Sequence, residues 1–131
     1  VMISQIAIPF KIEEVFQGLA ETTGILRYAE DFILVEFQTK DSIFGVIQSD
    51  VKCIKIPLES LLLIELKKKM FSTRIIIKTN SLHTLKKLKG YTKPELILDI
   101  KKEYRDEAQQ FISHINLLKA ENLLKNLEGE R

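Results

Sequence analysis

Few side chains in this sequence are of the types that catalysis or metal binding requires. His83 and His114 are the two histidines, and Cys53 is the single cysteine. A metal site would need both imidazoles beside carboxylates or the thiol, and a thiol nucleophile would need a histidine base close by. Spacing alone supports neither. His114 stands near Phe111 and Leu118 at helical intervals, which reads as a partly buried structural histidine. Cys53, in VKCIKI, reads as a small core hydrophobe rather than a nucleophile. Glu13-Glu14 and Asp106-Glu107 are adjacent pairs whose carboxylates point apart, not a facing pair for acid–base work. No phosphate-cradling glycine loop or metalloprotease pattern occurs. The expectation is no catalytic residue, no metal ligand set and no cofactor, and hence a non-enzymatic binding or scaffolding chain.

What remains is charge and apolar patterning. Lys and Arg number 20 against 18 Asp and Glu, a net charge of +2, so any electrostatic role must come from local clustering. One cluster follows IPLESLLLIEL, where an apolar run breaks into Lys67, Lys68 and Lys69, followed by Met70, Phe71 and Arg74. These lysines read first as a solvated strand end that guards an edge. The alternative is a basic hairpin with an exposed aromatic, Lys67, Lys68, Lys69, Phe71 and Arg74, that touches an anionic lipid surface. Lys86, Lys87, Lys89 and Lys93 form a second basic stretch. Aromatics are not interleaved with basic residues on one strand face as a stacking platform needs, which argues against nucleic acid.

The elements that would position these residues read as short strands followed by one helix. A chain of 131 residues, 45% hydrophobic, suffices for a single domain over residues 2–131, with Val1 reading as an addition before Met2. ISQIAIPF is strand-prone but interrupted by Pro9, and KIEEVFQGL predicts a short helical turn near Gly18. GILRYA and FILVEFQT, flanking Glu30-Asp31, predict a tight hairpin with Ile33, Val35 and Phe37 on one face. IFGVIQ and VKCIKIP follow as further strands. In LLLIELKK, alternation sends Leu62, Ile64 and Leu66 inward and Leu61, Leu63 and Glu65 outward. RIIIKT returns with Ile75 and Ile77 on one face. Leu82, Leu85 and Leu88 predict a turn of helix, and LILDIKK a last strand. Short connections favour antiparallel neighbours throughout.

From about Glu103 the pattern becomes helical. Tyr104, Ala108, Phe111, Ile115 and Leu118 form one continuous stripe, and Glu103, Asp106 and Glu107 place negative charge at its start. A second stripe, Leu117, Ala120, Leu124 and Leu127, widened by Leu123, is rotated from the first by about 100°. It predicts either packing on the N-terminal IAIPF segment, or fraying of the last turns, or a helix-pairing surface for a homodimer or another protein.

The proline-punctuated IPLESLLLIELKKKMF, the return STRIIIKT, the segment before LILDIKK and the closing helix EYRDEAQQFISHIN together resemble pleckstrin-homology-like domains, in particular GRAM-like and bacterial pleckstrin-homology families. The likeness covers residues 20–118, with 119–131 as a helix extension. It implies a mainly β fold: a partly open barrel of two antiparallel sheets, six or seven strands in all, capped by a long C-terminal helix. It also implies a lipid- or protein-binding module. In lipid-binding members, basic residues on the first hairpin hold inositol phosphates. Here that hairpin carries only Arg27 and an acidic Glu30-Asp31 tip, so the usual phosphate pocket is not expected. The composite expectation is a protein-binding or self-associating domain, with peripheral binding to anionic lipid as the alternative. A lone thiol and apolar runs shorter than the roughly 20 residues of a membrane helix point to a cytoplasmic chain, peripheral to a membrane under the second reading.

Overall fold

The computed structural model describes residues 6–15, 20–41, 51–80, 85–88, 91 and 93–129. Among the described residues, seven strands form one open antiparallel sheet, and a long helix follows them. The strands are β1 Ile8–Val15, β2 Ala20–Ala29, β3 Phe32–Asp41, β4 Lys52–Pro57, β5 Leu61–Lys68, β6 Thr73–Thr79 and β7 Leu96–Ile100. Helix α1 runs from Arg105 to Gly129. Sheet order is β4-β3-β2-β1-β7-β6-β5. The resemblance implies two sheets, and this is corrected to one: β1 pairs with β7, bridged at Lys11 and Asp99, which joins the β4-β3-β2-β1 and β7-β6-β5 ladders into a single sheet. The mainly β architecture with a closing helix is as expected.

Alternation builds the inner face. Ile8, Phe10 and Ile12 of β1, Ile33, Val35 and Phe37 of β3, Ile54 and Ile56 of β4, Ile75 and Ile77 of β6, and Leu96, Leu98 and Ile100 of β7 are all buried. Each such side chain withdrawn from water contributes about 1.5–3 kcal/mol. The helical turn expected over residues 11–19 is corrected to strand through Val15, because Ile8, Phe10 and Ile12 at a period of two pair with β2. Pro9 is accommodated opposite Ile25, where the β7 ladder bridges only Lys11 and asks nothing of its missing amide.

Three further expectations are corrected. Leu61 turns inward and Leu62 outward, because the β5–β6 register shifts between Leu61 and Leu63 and so shifts the alternation expected there. Cys53 is not a core residue: Ile54 and Ile56 take the inner positions of β4, leaving Cys53 half-buried across from Glu36. The helix begins two residues later than Glu103, after a 3₁₀ turn over Lys102–Tyr104. The IFGVIQ strand, Leu82, His83, Lys89 and the side chains of Glu13 and Glu14 lie outside the described residues.

Gly24 lets β2 and β3 come together under Phe10. A Cβ there would collide with the Glu36 carbonyl oxygen and stand 2.7 Å from Phe10 Cζ. The β2–β3 turn uses Glu30 in the left-handed region, at φ 55.

The buried polar side chains among the described residues are threonines, and each has a partner. Thr22 and Thr39 share a hydroxyl bond of 3.0 Å, Thr79 Oγ1 donates to the Ser60 carbonyl at 2.9 Å, and Thr73 Oγ1 accepts from Arg105 Nε and Nη2 at 3.0 and 2.7 Å. The last of these fixes the start of α1 to the turn end of the β5–β6 hairpin, where Thr73 pairs with Lys68. Ala108, Phe111, Ile112 and Ile115 then enter the core. Substituting Gly24→Ala should destabilise the domain by about 1–3 kcal/mol through overpacking, read as a lower urea midpoint with unchanged slope. An unaltered midpoint would contradict the close approach at that strand.

Candidate interaction surfaces

Two exposed features stand apart from the core, and both are positioned by α1. The first is the helix's own second half. Its fully buried side chains end at Ile115, with Leu118 partly buried, whereas α1 continues to Gly129. Leu117, Leu123, Leu124 and Leu127 are between 54% and 62% exposed, and Ala120 is exposed with them. Leu117, Ala120, Leu124 and Leu127 recur at three, four and three residues, the spacing of a helix-pairing seam, with Leu123 at its flank. Packing of these leucines on IAIPF is not what the described residues show, since the side chains remain in solvent.

The middle of α1 touches the sheet at His114 and at Lys119, the second of these within the span of the stripe. Tyr28 on β2 meets His114 edge-on, with ring centroids 5.5 Å apart and planes at 80°. His114 is thus half-buried and structural in setting, as its spacing implies. Lys119 Nζ donates to the Leu62 carbonyl at 3.2 Å, at the shifted register of the edge strand β5. Burial, then the negative charges of Asp31 and Glu121, push the Tyr28 phenol above its usual value of 10.0.

The second feature is the tip of the β5–β6 hairpin. Lys69 N–H donates to the Ser72 carbonyl at 2.7 Å, which leaves Met70 and Phe71 as the two central residues of a tight turn. They are 78% and 86% exposed, the most exposed large apolar side chains among the described residues. Lys67, Lys68 and Lys69 flank them. Two further lysines arrive from a distant segment: the pairing of Thr73 with Ile100 places Lys101 and Lys102 beside the tip, and Lys102 Nζ lies 5.8 Å from the Phe71 ring centroid. Sequence reasoning grouped Lys101 and Lys102 with the last strand, and only the β6–β7 register reveals where they go.

Arg74 belongs elsewhere. Its Nε donates to Asp99 Oδ1 at 2.9 Å, on the outer face where Asp99 also stands across from Lys11. Lys67 Nζ lies 3.9 Å from Glu65, an exposed and weak pair. Arg27 is paired with Glu36, and Lys86 and Lys87 are exposed on the connection between β6 and β7.

A groove of about 880 Å³ is lined by the exposed Ile25 and Val51, by Tyr104 and by the core side chains Phe10 and Phe37. Its charges largely answer one another: Lys11 lies 3.5 Å from Glu21, Glu36 is held by Arg27 and Asp99 by Arg74. No cluster of three metal-ligating side chains occurs among the described residues, and no described helix is long and apolar enough to cross a membrane.

Comparison of the chain with protein-family models, curated proteins and solved structures gave no match.

The Tyr28 environment has a measurable consequence. Below about pH 10 the phenol is protonated in both folded and unfolded chains, so Tyr28 adds no pH dependence. Above it the unfolded chain ionises first, and stability should fall as pH rises toward the higher folded value. The stability difference between wild type and Tyr28→Phe, measured by urea denaturation, should therefore shift against the wild type above about pH 10. A difference that stays constant through that range would contradict the raised pKa.

Proposed function

We propose that the chain is a non-enzymatic binding or scaffolding module that engages a protein helix through the second half of α1, with a second copy of itself as the first such partner. The observation that carries this reading is the exposed stripe of Leu117, Leu124 and Leu127, with Ala120 between and Leu123 beside, on a helix whose anchoring side chains lie upstream. A lone surface leucine needs no explanation, but several on adjoining turns of one helix mark an interaction face. The three-and-four spacing favours a facing helix over a flat surface, because it keeps one seam toward the partner. The small Ala120 lets the two backbones approach near the centre of that seam.

The resemblance to pleckstrin-homology-like domains belongs to this proposal. What supports it is an open antiparallel sheet of seven strands closed by a C-terminal helix. Domains of that kind serve as platforms for proteins or lipids, in keeping with a chain whose described grooves hold mutually paired charges. A cytoplasmic setting fits the half-buried free thiol of Cys53.

Sedimentation equilibrium over a range of concentrations tests the reading. The wild-type chain should self-associate in a manner that persists in high salt, as an apolar seam requires. Leu117→Lys with Leu124→Lys should weaken association by at least about a hundredfold, since each leucine buried by a partner contributes about 1.5–3 kcal/mol and both copies carry the substitutions. A chain that stays monomeric at every concentration would contradict self-association. Association that survives both substitutions would place the interface elsewhere.

A further inference from the structure

We infer that the β5–β6 tip is a docking point for an anionic lipid bilayer, assembled from two segments that only the fold brings together. This surface is distinct from the leucine stripe and does not rest on it. Met70 and Phe71 form the apex of the hairpin and project into solvent at 78% and 86% exposure. Behind them stand Lys68 and Lys69 from the hairpin and Lys102 from the junction between β7 and α1, with Lys101 adjoining Lys102 and lining the groove beside Tyr104. All four lysines are exposed. Glu103 and Asp106, on the following turns, are exposed acids on the helix side of this cluster. Arg74, the arginine of this hairpin, is drawn away by Asp99 and takes no part.

The order of these groups is what selects a bilayer over another anion. A soluble acidic partner would be met by the lysines alone and would gain nothing from two unpacked apolar side chains at the apex. A membrane interface matches both layers: Phe71 and Met70 reach the boundary of headgroups and acyl chains, while the lysines stay at headgroup level on their flexible stems. Lys102 over the Phe71 ring holds cation and aromatic together at the apex. Each lysine near an anionic surface strengthens binding by about fivefold at modest salt. Four lysines and two apolar side chains thus give reversible attachment, not permanent anchoring.

The chain contains no tryptophan, so Phe71→Trp places a single indole at the apex. Its emission should shift to the blue with vesicles of phosphatidylcholine and phosphatidylserine, and remain unshifted with phosphatidylcholine alone. In flotation with the same vesicles, Lys101→Gln with Lys102→Gln should weaken binding by about twenty-five-fold, and Phe71→Ser by about tenfold. Higher salt should release the protein. All substituted side chains are exposed, so circular dichroism should show an unchanged fold. The proposal is overturned if phosphatidylserine vesicles leave the protein in solution at low salt. It is also overturned if the Lys101 and Lys102 pair can be replaced without effect. Retention of Phe71→Ser at wild-type strength, together with full competition by soluble polyphosphate, would assign the lysines to a dissolved polyanion instead.

Discussion

An open antiparallel sheet with a single apolar face has to be covered, and here the cover is Phe111 with Ala108, Ile112 and Ile115 on the first turns of α1. Phe111 is fully buried, and removing a ring of that size from a core leaves a void that the surrounding strands fill only in part. The contact is also directional. Arg105 is held by Thr73 at the turn end of the β5–β6 hairpin, and Tyr28 and Leu62 flank the helix further along. A cation in the first helical turn opposes the helix dipole, and Asp106 and Glu107 offset it there. With its start and its middle both fixed, the helix has one rotational setting on the sheet.

That setting creates both exposed surfaces. The turns that bury Phe111 and Ile115 point the Leu117, Leu124 and Leu127 stripe away from the sheet. The β7 register that delivers Arg105 to Thr73 also delivers Lys101 and Lys102 to the hairpin apex. The helix spans about 37 Å, and Leu117 lies about 18 Å along it from Arg105, so the two surfaces are well separated. Occupation of one leaves the other open. A module with these two faces could sit on a membrane through its hairpin while its helix engages a protein.

Much of this was legible in the sequence because period-two alternation survives in most strands. Ile33, Val35 and Phe37, Ile75 and Ile77, and Leu96, Leu98 and Ile100 all face inward as alternation dictates. The helix stripe was legible for the same reason, at a period near 3.6. Failures came where a period was broken or shared. Leu61 and Leu62 exchanged faces because a register shift in β5 leaves no mark in a run of identical leucines. Ile12 and Val15 stand at a helical interval while Ile8, Phe10 and Ile12 stand at a strand interval, and only pairing with β2 chose between them. Cys53 was read as core from its residue type, whereas the parity set by Ile54 and Ile56 puts it outside. Lys101 and Lys102 were unreadable as part of the tip, since nothing local tells which hairpin a distant strand end will join.

The central claim is that α1 is one helix with two jobs, a closing half and a free half. Amide hydrogen exchange, resolved along the helix at low and high protein concentration, tests it most directly. The account expects amides from Ala108 to Ile115 to exchange only with global unfolding at both concentrations. It expects amides from Leu123 to Gly129 to exchange fast in dilute solution and to gain protection as concentration rises. Equal protection along the whole helix in dilute solution would contradict the account, because the leucine stripe would then be packed on its own domain.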